Sequence, residues 1–207
     1  VLDHVFTDCI AVLRDVLEAA LLEPQEVEER FHADVLLGDL SWQTTYSLPG
    51  EGTPPRVQAD ILLEWSTWSQ SAYRSWRHGD PMADPPRVEV EIVLRIQRLR
   101  DAVPTGRLLA VLPSVAPGPI ALERTTVRLE AIHEPDTESD DPLGTAVHGV
   151  DASYEGTYDL DEATLNDPAR LDDQFGAMGG WIASTLVRLG DLDLDFLPPD
   201  EQEHDEP

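Results

Sequence analysis

Apolar residues recur at helical spacing near both ends of the chain and at every second position between them. Near the N-terminus Val5, Cys9, Val12, Val16, Leu17 and Ala20 fall on one stripe, with Asp3 ahead as a cap and Pro24 behind, which predicts an amphipathic helix over 3–22. From Phe31 onward the period changes. Trp42, Thr44, Tyr46 and Leu48 alternate, Pro49-Gly50-Glu51-Gly52 supplies turn chemistry, and Val57, Ala59, Ile61 and Leu63 alternate again, so a hairpin is predicted. The longest alternation sets Val88, Val90, Ile92, Leu94 and Ile96 against Glu89, Glu91, Arg95 and Gln97. That is a strand with one dry face and one wet face.

Further along, residues 108–112 form a short apolar run and predict a strand. Thr125, Val127, Leu129 and Ala131 predict another, with Arg124, Arg128 and Glu130 on its other side. The acidic run PDTESDDP at 135–142 predicts a solvated loop, after which Val150, Ala152, Tyr154, Tyr158 and Leu160 resume the period of two. Asp167 before Pro168, with Asp172 and Asp173 following, has the chemistry of a helix start: an oxygen for free amides, a residue that needs no donor, and negative charge at the positive dipole end. Leu171, Phe175, Met178, Ile182, Leu186 and Leu189 make its buried stripe and Gly190 closes it. Gly179 and Gly180 interrupt this helix at a cost of about 1 kcal/mol each relative to Ala, which marks a bend or a close backbone contact. The order predicts an α+β fold: an N-terminal helix, about six mostly antiparallel strands in a curved sheet, and a C-terminal helix packed on that sheet. Residues 1–197 are expected to form a single domain and 198–207 an acidic mobile tail.

Charge changes the picture next. The chain carries 41 Asp plus Glu against 14 basic residues, all of them Arg, for a net charge of -27. With 41% of residues apolar and arranged in periodic blocks, the acidity does not signal a disordered chain. The carboxylates are spread from Asp3 to Glu206 rather than set in rows, which fits a uniformly acidic surface adapted to high salt better than a mimic of nucleic acid. Absent Lys with Arg retained also fits a GC-rich genome. Such a surface disfavours phosphate backbones and anionic lipid, so neither nucleic-acid nor membrane partners are expected. No basic region followed by an apolar core opens the sequence, and a cytoplasmic or virion location without a recognisable signal peptide is the expectation.

Chemistry-bearing motifs are few. Cys9 is the one cysteine and lies on the apolar stripe, where it reads as a small buried hydrophobe. The six histidines show no zinc spacing, and His148 opens an apolar strand face. Asp191, Asp193 and Asp195 begin like a calcium loop, but Phe196 stands where Gly must turn and Gln202 where a closing Glu is needed; a terminal strand with Leu192, Leu194 and Phe196 inward explains the same letters. No nucleophile elbow, phosphate loop or dinucleotide fingerprint is present. No catalytic residue, metal ligand or cofactor is therefore expected. The feature that stands out is EWSTWSQSAYRSWRH at 64–78, with three of the five tryptophans. As a helix it sets Trp65, Trp68, Ala72 and Trp76 on one face. Trp65, Trp68, Tyr73 and Trp76 are then candidate interface anchors, and a core role is the competing expectation.

Two resemblances of layout bear on function. A helix leading into long antiparallel strands, in an acidic chain without catalytic motifs, resembles virion connector and tail-terminator proteins, which implies assembly into rings through sheet edges and helices. Residues 146–197, with Tyr154 and Tyr158 on a long strand, a terminal helix and then LDLDFLP, are similar to the C-terminal part of SecB-like chaperones, which implies peptide binding. The expectation is a non-enzymatic assembly or binding subunit of a haloadapted organism or its virus, joined to protein partners or to copies of itself. A SecB-like peptide-binding chaperone is the alternative, and an enzyme of unrecognised type the third.

The charge itself generates a testable consequence. Self-repulsion among the excess carboxylates reaches across about 30 Å at 0.01 M salt and about 3 Å at 1 M. Thermal melts followed by circular dichroism should show a strongly lowered melting temperature, or no folded state, in dilute buffer and recovery in molar KCl. Equal melting temperatures would remove haloadaptation as the explanation of the composition.

Overall fold

The computed structural model describes residues 4–24, 38–133 and 146–199. Helix α1 (His4–Ala19) is followed by strands β1 (Glu23–Pro24), β2 (Leu40–Ser47) and β3 (Val57–Trp65), helix α2 (Thr67–Arg77) and strand β4 (Arg87–Leu99). Helix α3 (Thr105–Val111), strands β5 (Glu123–His133) and β6 (Ala146–Asp159), and helices α4 (Glu162–Leu165) and α5 (Pro168–Gly190) complete it. The strands form one antiparallel sheet in the order β1-β2-β3-β4-β6-β5. It is open, with β1 at one edge and β5 at the other. The α+β architecture predicted from the alternation is the one observed.

Helices cover one face of this sheet. Val57, Ala59, Ile61, Leu63 and Trp65 from β3 and Val88, Val90, Ile92, Leu94 and Ile96 from β4 are all buried beneath them. Phe6 of α1 stacks on Trp65, while Phe175 and Trp181 of α5 meet Tyr158 and Tyr154 of β6 edge-on. Burying a side chain of this kind contributes about 1.5–3 kcal/mol, and the dry row continues across four strands. Removing the helices would expose all of it.

Turns and caps are settled by local chemistry. Helix α1 ends with Leu21 N donating to the Glu18 carbonyl and Leu22 N to that of Leu17, the paired bonds of a Schellman cap, with Leu21 in the left-handed conformation where Gly is usual (φ 60°). In the β2–β3 loop the buried Glu51 carboxylate accepts from Arg56 Nε at 3.1 Å and Val57 N at 2.9 Å, which fixes the entry to β3. Asp167 caps α5 as predicted, accepting from Ala169 N with Pro168 in the first position.

Three expectations need correction. Residues 105–111 are helix α3, not a strand: Leu108 turns inward while Leu109 is exposed, a helical phase that a run of five apolar residues cannot reveal. The segment 64–78 is not one helix, because β3 keeps its alternation through Trp65 and Ser66 then caps α2 by accepting from Ser69 N. The terminal strand around Phe196 is reduced to a single bridge to Leu99, flanked by bonds from Arg100 N to Asp195 O and Leu197 N to Arg98 O. The loop 135–142 and the tail from 200 onward lie outside the described residues.

Of the adjacent glycines Gly179 and Gly180 in α5, one has a contact that requires it. A Cβ on Gly179 would sit 2.9 Å from Val16 Cγ1 and 3.2 Å from Leu13 Cδ1, so α1 approaches α5 here as closely as the backbone allows; Gly180 faces open space. Gly180→Ala should therefore raise unfolding stability by about 0.5–1 kcal/mol, and Gly179→Ala should fail to do so or lower it by about 1–3 kcal/mol. Denaturant melts of the two variants check this, and equal responses would contradict the assigned helix contact.

Candidate functional site

The sheet's other face is open among the described residues, and two features stand out on it and at its margin. The first is an acidic groove of about 490 Å³ lined by Glu64, Glu89, Glu91, Glu123 and Glu155, with Leu62, Thr125 and Thr157. Register explains the crowding: Glu64 lies directly opposite Glu89, and Glu155 lies opposite both Glu91 and Glu123. Like charges opposite one another destabilise a sheet. Relief is partial, since Glu155 accepts from Thr125 Oγ1 at 3.0 Å. Burial, then Glu89, Asp39 and Glu91, hold the Glu64 carboxyl above the usual glutamate range. A Cβ on Gly156 would collide with the carbonyl oxygen of Ala121, so the missing side chain lets the chain pass close to β6 where it turns into β5.

Beside the groove the charges alternate in sign. Arg95 Nε meets Asp60 at 2.8 Å and Asp151 at 3.8 Å, and Asp151 in turn lies opposite Arg128 of β5. Burial holds the Asp151 carboxyl above the usual aspartate range, against the opposing pull of Arg95. The row Asp60, Arg95, Asp151, Arg128 thus runs from β3 to the sheet edge.

The second feature is β5 itself, eleven residues long. Leu129 is 53% exposed and Ile132 60% exposed. At its start Ala116 N bonds Leu122 O and Arg124 N bonds Ser114 O, both at 2.8 Å, so the outer edge is occupied there. From Thr125 to His133 no described strand or bridge lies outside it. A bulge between Arg124 and Thr126 shifts the register, which puts Arg124 opposite Tyr154 and its guanidinium on the Leu112 carbonyl instead of beside Arg128.

The aromatic residues singled out from sequence are divided by the fold. Trp65 and Tyr73 are buried and in edge contact, and Trp76 packs on Tyr73 at the margin of the core. Trp68 is 47% exposed, with the Arg87 guanidinium 5.1 Å above its ring. Ser69 ties α2 to the start of β4 by bonding both the carbonyl and the amide of Arg87. Of the four, Trp68 is the most exposed.

Cys9 is fully buried and burial pushes its thiol well up, which leaves it unreactive. Among the described residues no group of three or more His, Cys, Asp or Glu side chains is placed to hold a metal ion, and no helix is long and apolar enough to cross a membrane. His148 is half-buried on β6, opposite Leu99 and Ala131. The groove and the edge were not singled out from sequence because both depend on which strands pair. Comparison with protein-family models, with characterised proteins and with solved structures finds no match for this chain.

The groove predicts a pH dependence of definite sign. A carboxyl whose pKa is raised on folding contributes stability below its unfolded pKa and loses that contribution as pH rises through the folded value. Ionised Glu64 therefore works against folding at neutral pH. Glu64→Gln should melt about 1–2 °C higher than wild type at neutral pH, a small effect because the group is partly solvated, and the gap should close below about pH 4. Asp39 and Asp161 act in the other direction, since hydrogen bonds from Thr67 and Thr164 hold their carboxyls below the usual range and their stabilisation is lost only as pH falls through those lowered values. A gap that persisted unchanged into acid would contradict this account of Glu64.

Proposed function

We propose that this chain is a non-enzymatic subunit of a protein assembly in a high-salt environment, that of a haloadapted organism or its virus, and that it joins its neighbours through the β5 edge of its sheet. The observation that carries the reading is the stretch 125–133, which combines exposed Leu129 and Ile132 with an outer edge that no described segment occupies. Folded proteins blunt such edges with charged side chains, Lys above all, or with Pro, bulges or short strands, because unpaired amides and carbonyls recruit further strands. Here the bulge lies near the start of the strand, and beyond it there is no Lys and no Pro; the charges there, Arg128 and Glu130, are of opposite sign. An edge with that pattern can pair with a complementary strand.

Charge supports the same reading. The chain as a whole carries -27, yet β5 holds two Glu and two Arg and is balanced. A neutral strip on a repelling surface is where copies can approach. The alternative of a peptide-binding chaperone has one observation on its side, the 490 Å³ groove, whose carboxylate lining suits a basic extended segment rather than an apolar one.

Light scattering of the purified chain in molar KCl tests the proposal. The expected mass is a fixed multiple of 22.9 kDa, and it should fall toward the monomer as salt is reduced within the folded range, because unscreened repulsion returns. A strict monomer at every salt and protein concentration would contradict it.

A further inference from the structure

The free part of β5 specifies its own partner. Occupied at 122–124 and, among the described residues, free from Thr125 to His133, the strand has Leu129 at the midpoint of that stretch. Leu129 is flanked by Arg128 and Glu130, which touch each other at 3.5 Å and are well exposed. Resting on the assembly reading above, we infer that the occupant of this edge is a second copy of the chain, paired antiparallel to β5 about a two-fold axis through Leu129.

Antiparallel neighbours place directly opposite residues on the same face, so a two-fold axis must pass through a residue and the possible registers differ in steps of one centre. With the axis at Leu129, Arg128 lies opposite Glu130 of the second copy and Glu130 opposite its Arg128. Leu129 then meets Leu129, and Val127 meets Ala131. Centring on Arg128 or on Glu130 puts a charge opposite itself, which destabilises the pairing. Centring on Val127 requires Arg124, whose amide and guanidinium already bond Ser114 and Leu112. Centring on Ala131 sets Glu130 opposite Ile132 and confines the overlap of described residues to 129–133.

The row of alternating charge gives independent support. Asp60, Arg95, Asp151 and Arg128 follow one another across β3, β4, β6 and β5 and end at the edge on a cation. In the Leu129 register Glu130 of the second copy stands next in line, so the alternation continues through the axis. The two sheets become one of twelve strands, twice the six of a single chain.

Charge reversal tests the register. Light scattering is carried out at the lowest KCl concentration at which the wild-type chain is folded by circular dichroism and still assembled, where screening is weakest. Arg128→Glu and Glu130→Arg, each alone, should weaken self-association about tenfold or more, because both symmetry-related pairs become repulsive. The double variant R128E/E130R restores complementarity and the bond within the strand, and should recover the wild-type mass. Mixing the two single variants should give a complex containing one of each. Both side chains are exposed, so all the variants should fold, and the double variant guards against a loss of folding in either single one. Wild type that assembles while every variant behaves as wild type would overturn the edge pairing and leave the assembly reading standing. Wild type that never assembles would overturn both. Single variants that dissociate without rescue by the double variant or by mixing would overturn the Leu129 register.

Discussion

Everything in this fold depends on a sheet that, among the described residues, is covered on one side only. The row Val88, Val90, Ile92, Leu94 and Ile96 runs down the centre of that side, and each of these residues is buried beneath the helices. Because the period of a strand is two, the intervening positions are forced onto the opposite face together, and a slip of one residue would drown the core. The helices must therefore lie close and stay in place. Phe6 on Trp65, Phe175 on Tyr158, and the backbone contact at Gly179 hold them there.

The consequence appears on the wet side. In this chain the positions released to solvent include many carboxylates, and pairing of β3, β4, β6 and β5 brings Glu64, Glu89, Glu91, Glu155 and Glu123 together in one groove. Dilute buffer would make that arrangement costly, whereas molar salt reduces the repulsion at its source. Arginine is placed where packing needs a cation: Arg56 on Glu51, Arg95 between Asp60 and Asp151, Arg87 over Trp68. The same distribution leaves β5 balanced while most of the surface repels its like.

Much of this was legible in the sequence. Long alternations at 57–63 and 88–97, the cap at Asp167 and the stripe from Leu171 to Leu189 each specify an element by period alone, and the structure has those elements. Residues 105–111 were illegible because Leu108-Leu109 suits either period when only about two turns are formed. Trp65 was drawn into the wrong element by its neighbours: it completes the alternation of β3, but its spacing to Trp68 imitates a helix. Bulges at Arg98 and Thr125 leave no mark in the pattern, so the face that Arg124 takes could not be read. The acidic groove and the charge row were illegible for a deeper reason. They arise between strands as far apart in sequence as Glu64 and Glu155, and periodicity along one strand says nothing about which strand lies beside it.

The claim that β5 is the assembly edge is reached most directly by hydrogen exchange resolved to single amides. Every second amide of 125–133 faces away from β6 and, in an isolated chain, exchanges freely with solvent. In molar KCl at high protein concentration those outward amides should become protected, and on dilution they should lose protection while the amides of β4 keep theirs. Outward amides that exchange at the same fast rate at every concentration, in a sample shown by its mass to be assembled, would contradict the account and place the contact elsewhere on the molecule.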